Sequence, residues 1–188
     1  MKHLAPITAA LAFALTSPTL ALTDAEVIER GKKIAAEAFA TLSQELVKAM
    51  AEGGTAKALP VCHQKAAKLA EELGKKHDAE VRRVTHKARN PKNRATDAEM
   101  RILDDYAARI AAGEAPKPLV VREEVKRAVF HAPILLAMDI CLKCHGDPSK
   151  DMVPEDLALI RSLYPEDAAT GFHLGQLRGM WRITFNQK

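Results

Sequence analysis

From Asp24 onward the apolar positions recur with a helical period: Ile28, Gly31, Ala35, Ala38, Leu42, Leu46 and Met50 mark one face of a long helix, and Gly53-Gly54 closes it. A second helix is expected over 55–76. Its stripe is Leu59, Cys62, Ala66, Leu69 and Leu73, at alternating spacings of three and four. Cys62 therefore faces inward, while His63 sits about 100° further round, at the edge of the stripe. "EVRRVTHKA" predicts a strand, and "RNPKNR" a turn by composition. Thr96-x-x-Glu99 is a capping box that opens a helix ending at Gly113. "LVVREEV" and "RAVFHAPILL" read as two further strands, and a short helix is expected between Pro154 and Pro165. In the last stretch, "QLRGMWRITF", alternation is strict. Leu177, Gly179, Trp181, Ile183 and Phe185 take one face, and Gln176, Arg178, Met180, Arg182 and Thr184 the other. Helices come first and strands mostly later, without regular βαβ alternation. The pattern predicts an α+β fold, an antiparallel β-sheet flanked by helices, with a long N-terminal helix.

The first 21 residues depart from this pattern. Lys2 and His3 lead into "LAPITAALAFAL" and a small-residue exit at Thr19-Leu20-Ala21, the signature of a cleaved signal peptide over 1–21. The apolar stretch is shorter than the roughly 20 residues of a spanning helix. The longest later apolar run, "AVFHAPILLAMDICL", is broken by His131, Pro133 and Asp139. Expected, then, is one domain over 24–188, periplasmic or secreted, with no membrane span after signal cleavage. A net charge of +4, from 28 basic and 24 acidic residues, is too mild and too scattered for a nucleic-acid partner.

Export changes the reading of the three cysteines, because the pentapeptide "CLKCH" at 141–145 admits three chemistries. Structural zinc needs four ligands, usually from a second close pair, and the remaining cysteine, Cys62, stands alone. A dithiol redox site places its first cysteine at the start of a helix after a strand, whereas Gly146, Asp147 and Pro148 follow here as turn chemistry. Haem attachment needs what is present: Cys141 and Cys144, on a short loop, for the two vinyl groups, and His145 as proximal iron ligand. One covalently attached haem c, with its iron, is the expected cofactor.

Opposite His145 the residues leave the ligand open. Met50, Met100, Met138, Met152 and Met180 are candidates, and Met50 and Met100, at helical spacing, are read first as core. His77 sits in a charged, solvated stretch, and His86 is a further histidine without a distinguishing context. His131 is a pocket candidate within a strand, and His173 a candidate to meet a haem propionate from a glycine-flanked loop. Cys62, the one thiol left over in an oxidising compartment, and its neighbour His63 stand level as distal ligands, with neither as the third alternative. Lys87, Arg89, Arg94 and Arg178 are candidates to face the propionates.

Several motifs in order, "ALPVCHQKA" (58–66), "RNPKN" (89–93) with Glu99 after it, "CLKCHGDP" (141–148), "YPEDAATGF" (164–172) and "GQLRGMWRI" (175–183), resemble those of the PAS-like c-type haem domains. That family comprises standalone exported proteins and sensor modules of signalling proteins. The resemblance spans roughly 24–188. It implies a PAS-like sheet and a distal cysteine ligand at the position of Cys62. Ala95, Ala98 and Gln176 depart from the family's usual proline, aromatic and aspartate, and bear on turns and surface rather than on the iron. The resemblance further implies a non-enzymatic haem protein engaged in redox or gas sensing, with a diatomic gas as candidate ligand and a separate redox or signalling protein as partner. A simple periplasmic electron-transfer cytochrome is the alternative. A small peroxidase would need an open ferric site, which a Cys62 ligand argues against.

Overall fold

The computed structural model describes residues 21–124 and 127–186, so the expected signal peptide at 1–21 lies, but for Ala21, outside the described residues. In chain order the elements are α1 (Asp24–His77), β1 (Glu80–Val84), a 3-10 turn (Pro91–Asn93), α2 (Asp97–Ala111), β2 (Leu119–Glu124), β3 (Arg127–Leu135), α3 (Asp139–His145), α4 (Pro154–Leu163) and β4 (Leu177–Asn186). The four strands form one antiparallel sheet in the order β1-β4-β3-β2. The fold is α+β with a long N-terminal helix, as the apolar periodicity predicts.

That helix starts at a capping box, Thr23 with Glu26, and breaks at Gly53 and Gly54. Gly54 has φ of 63°, a left-handed conformation that costs a glycine little. The break lets the chain double back. Arg30 donates to the His77 carbonyl, Glu37 meets Lys76 and His77, and Glu45 meets Lys65. The arms 24–52 and 55–77 therefore lie antiparallel. This packing corrects the solvated reading of His77, whose Nε2 lies 2.8 Å from Glu37 Oε2 and whose side chain is 17% exposed.

The first arm covers one face of the sheet. Val27, Ile34, Ala35 and Ala38 pack with Phe130, Trp181, Ile183 and Phe185. Gly31 allows the close approach: a Cβ there would stand 2.3 Å from the Phe130 ring. On the other face, α2 packs Leu103 and Tyr106 against Val84, Leu177 and Met180. The α2 capping box is that expected at Thr96 and Glu99, and the helix ends at Ala111, two residues short of Gly113. Glu99 does double duty, because Oε2 accepts from Thr96 while Oε1 lies 3.2 Å from buried Arg182 Nε. With helices on both faces, the central strand β4 is buried along nearly its whole length.

Two local readings change. Leu177 joins the α2 cluster instead of the Trp181 face. Strand β3 pairs Ile134 with Gly179 but Leu135 with Leu177, so Arg178 is an extra residue in a bulge, and the side-chain alternation inverts there. The CLKCH segment is not a loop: it occupies most of the seven-residue α3, and the expected turn begins only at Gly146. Among the described residues no helix is long and apolar enough to cross a membrane.

Candidate functional site

A cavity opens where both arms of α1, strands β1, β4 and β3 and helix α3 meet. Its volume is about 220 Å³. Its walls are mostly apolar, including Leu42, Leu46, Leu59, Ile134, Leu136 and Trp181. Into it face Cys62, Cys141, Cys144 and His145.

Helix geometry brings three of these together. Residues at i, i+3 and i+4 share one helix face, so α3 presents Cys141, Cys144 and His145 on one side. The helix is held at its start by Cys141 N–H donating to the Met138 carbonyl and at its end by Gly146 N–H donating to the Leu142 carbonyl. Cys62 arrives from the second arm of α1, as the inward stripe predicts. His63 does not line this cavity. It is exposed, its ring stands edge-on to Tyr164 at 4.9 Å, and it borders a separate hollow beside Pro91 and Pro165.

His145 is set in one orientation. Its Nδ1 lies 2.8 Å from the Ala169 carbonyl, which can only accept, so Nδ1 carries the proton and Nε2 keeps its lone pair. Burial, reinforced by the Arg178 and Arg89 cations, holds its pKa well below the ordinary imidazole range, and the ring is neutral. The Ala169 carbonyl is itself fixed: Ala169 N–H donates to Asp167 Oδ1, and Asp167 pairs with Arg89 through Nε at 3.0 Å and Nη2 at 3.1 Å. Arg89 Nη2 also donates to the Cys144 carbonyl, tying α3 to the same loop. Burial pushes the Cys144 thiol up to about 11. The Cys62 thiol is raised by burial too, against the opposing pull of Arg83 and Arg89. All three cysteines are free thiols.

Of the other candidates, Met50 and Met138 line the cavity. Met100 and Met180 belong to the α2 cluster, and Met152 packs with Leu59 and Ile160. His131 is buried in the sheet, with its backbone carbonyl accepting from Tyr106 Oη, and neither it nor exposed His173 reaches the cavity. His86 is exposed, its ring 6.1 Å from Phe172. Among the proposed cations, Arg94 is exposed beside Glu166, and Lys87 donates to the Thr170 carbonyl. Arg89 and Arg178 both face the cavity, Arg89 already committed to Asp167. Arg83 also faces it and was absent from the sequence candidates. The available signal was its alternation with inward Val81, two residues before it on β1.

A model of the Tll0287-like family matches residues 20–186. The crystal structure of a cyanobacterial haem protein, Tll0287, superposes with a TM-score of 0.63 at 26% sequence identity, over 85% of this chain and 96% of that one. No curated protein matches the chain.

Proposed function

Since the chain belongs to the Tll0287-like family, we propose that it is an exported, non-enzymatic monohaem c-type protein that acts in redox or gas sensing. The observation that carries this reading is the convergence of Cys141, Cys144, His145 and Cys62 on one apolar cavity, together with the haem named for the similar cyanobacterial protein.

The donor set fits a haem better than a bare metal ion. Among the described residues no three His, Cys, Asp or Glu side chains gather closely enough to hold a metal, so the thiols and the imidazole border a space rather than a point. A closed zinc site needs its four ligands about 2.0–2.3 Å from the ion. Cys141 and Cys144 would supply the two thioether bonds, His145 Nε2 the proximal ligand and Cys62 Sγ the distal one. Such a haem supplies a one-electron centre whose ferric state an anionic sulfur ligand favours.

What the chain does around it differs on the two sides. His145 is locked by Ala169, Asp167 and Arg89. Cys62 rides on an arm that follows the Gly53–Gly54 break and contains Pro60, whose missing N–H leaves the helix one bond short two residues before the thiol. A fixed proximal ligand and a hinged distal one suit a ligand-dependent change of shape read by a separate signalling or redox partner. A plain electron carrier would want both sides rigid.

Optical spectra of the purified ferric haem form test the ligand assignment. Cys62→Ala is expected to change the ferric spectrum, and His63→Ala to leave it as in wild type. The reverse pattern would transfer the distal role to His63.

A further inference from the structure

The cavity carries more positive charge than its own residues balance. Three guanidinium groups, Arg83, Arg89 and Arg178, face it, and among the described residues no aspartate or glutamate lines it. Asp167 neutralises Arg89 from behind. Among the described residues Arg178 finds neutral hydrogen-bond partners only: Nη1 donates to Thr85 Oγ1 at 2.9 Å and to the Lys87 carbonyl at 3.1 Å, and its buried Nε has no hydrogen-bond partner. Arg83, on β1 opposite Trp181, makes no hydrogen bond or ion pair among the described residues. Burial, then repulsion from Arg89 and Arg83, brings Arg178 down to about 9, and burial likewise lowers Arg83.

Burying an unpaired cation is costly unless an anion meets it. Guanidinium differs from ammonium in offering a planar fork that matches a carboxylate. Two guanidinium groups without a carboxylate partner in one mostly apolar cavity describe a receptor for two carboxylates carried on an apolar body.

We propose that Arg83 and Arg178 form a built-in receptor for the two haem propionates, holding that edge of the group inside the protein instead of at the solvent. The inference rests on the haem reading above. Its consequence is a haem with both acidic groups compensated within the fold. Arg178 also ties this edge to the proximal side, because its guanidinium lies 5.4 Å from the centre of the Phe172 ring, whose other neighbours include His145.

The test uses the haem-loaded protein with Arg83→Gln, Arg178→Gln and the corresponding lysine variants. Covalent haem content, reduction potential and the propionate-bending band in resonance Raman spectra are read for each. Both glutamine variants are expected to keep covalent haem, to shift to lower potential as a positive charge is lost, and to move the propionate band. The lysine variants should hold the potential near wild type while still moving the band, because charge is kept and the fork is not. If a glutamine variant yields no haem protein, the band of its lysine counterpart decides. Potential and band both unchanged in the variants would place the propionates elsewhere and overturn the proposal. So would a rise in Tm of the wild-type haem protein on adding succinate, since the forks would then still be open to a free dicarboxylate. Absence of haem from the wild type would overturn the functional reading itself, an outcome separate from these.

Discussion

Arg89 and Asp167, 78 residues apart in sequence, form a two-pronged ion pair with only 10% and 6% of their side chains exposed. Through it the "RNPKN" turn, the C-terminal end of α3 and the loop that receives His145 become one rigid unit. Arg89→Leu leaves the Asp167 carboxylate buried without its cation, which costs about 3–5 kcal/mol. Chemical denaturation is expected to show a loss of that size, and Arg89→Lys a smaller one, since an ammonium keeps the charge without the fork. A loss below about 1 kcal/mol for Arg89→Leu, the range of an exposed pair, would remove the ion pair from its structural role.

Gly31 fixes how closely α1 lies on the sheet. Gly31→Ala places a methyl 2.3 Å from Phe130, so ring or helix must move at the centre of the main cluster. Overpacking of this kind costs about 1–3 kcal/mol, more than the gain in helix propensity of up to about 1 kcal/mol. Net destabilisation is expected in thermal melts. An unchanged or raised Tm would show that α1 lifts off at no cost.

His131 should impose a pH dependence on stability. Burial first, and the Arg182 cation next, depress its pKa to about 4, against about 6.5 in an unfolded chain. Between those values the unfolded chain binds the proton and the folded one does not, so stability is full above about 6.5 and falls as pH drops toward about 4, by up to about 3 kcal/mol. Subtracting the pH profile of His131→Gln from that of wild type isolates this histidine. A flat difference between pH 4 and 6.5 would mean that the buried ring accepts a proton freely.

Carbon monoxide separates sensing from electron carriage. If the arm bearing Cys62 yields when the haem protein is reduced, reduced wild type binds carbon monoxide with a shifted Soret band, while the oxidised form does not. Rigidifying the break with Gly54→Ala, which strains a residue at φ of 63°, should alter the rate of that uptake. Refusal of carbon monoxide by the reduced protein would favour the electron carrier.

Much of this was legible in the chain because it is written in local patterns. The helix break at Gly53–Gly54, the Thr96 capping box, the Pro154 helix start and the β4 alternation from Gly179 onward each depend on residues within a few positions of one another. The pairing of Cys141, Cys144 and His145 was equally local, since their spacing puts them on one side whether the segment is loop or helix. The sequence by itself thus determined the element order, the α+β class and the candidate covalent attachment point. Only tertiary packing decided the rest. The helical stripe turned Cys62 inward and left His63 at its edge, but only the folding back of the second α1 arm brought the thiol to the cavity and the imidazole beside Tyr164. Arg178 reaches the cavity through a bulge that inverts the alternation, and Arg83 through the pairing of β1 with a strand about a hundred residues later. A charge reveals its role only when its surroundings are assembled, because the same guanidinium is a solvated surface group in one setting and an unmatched buried cation in the other.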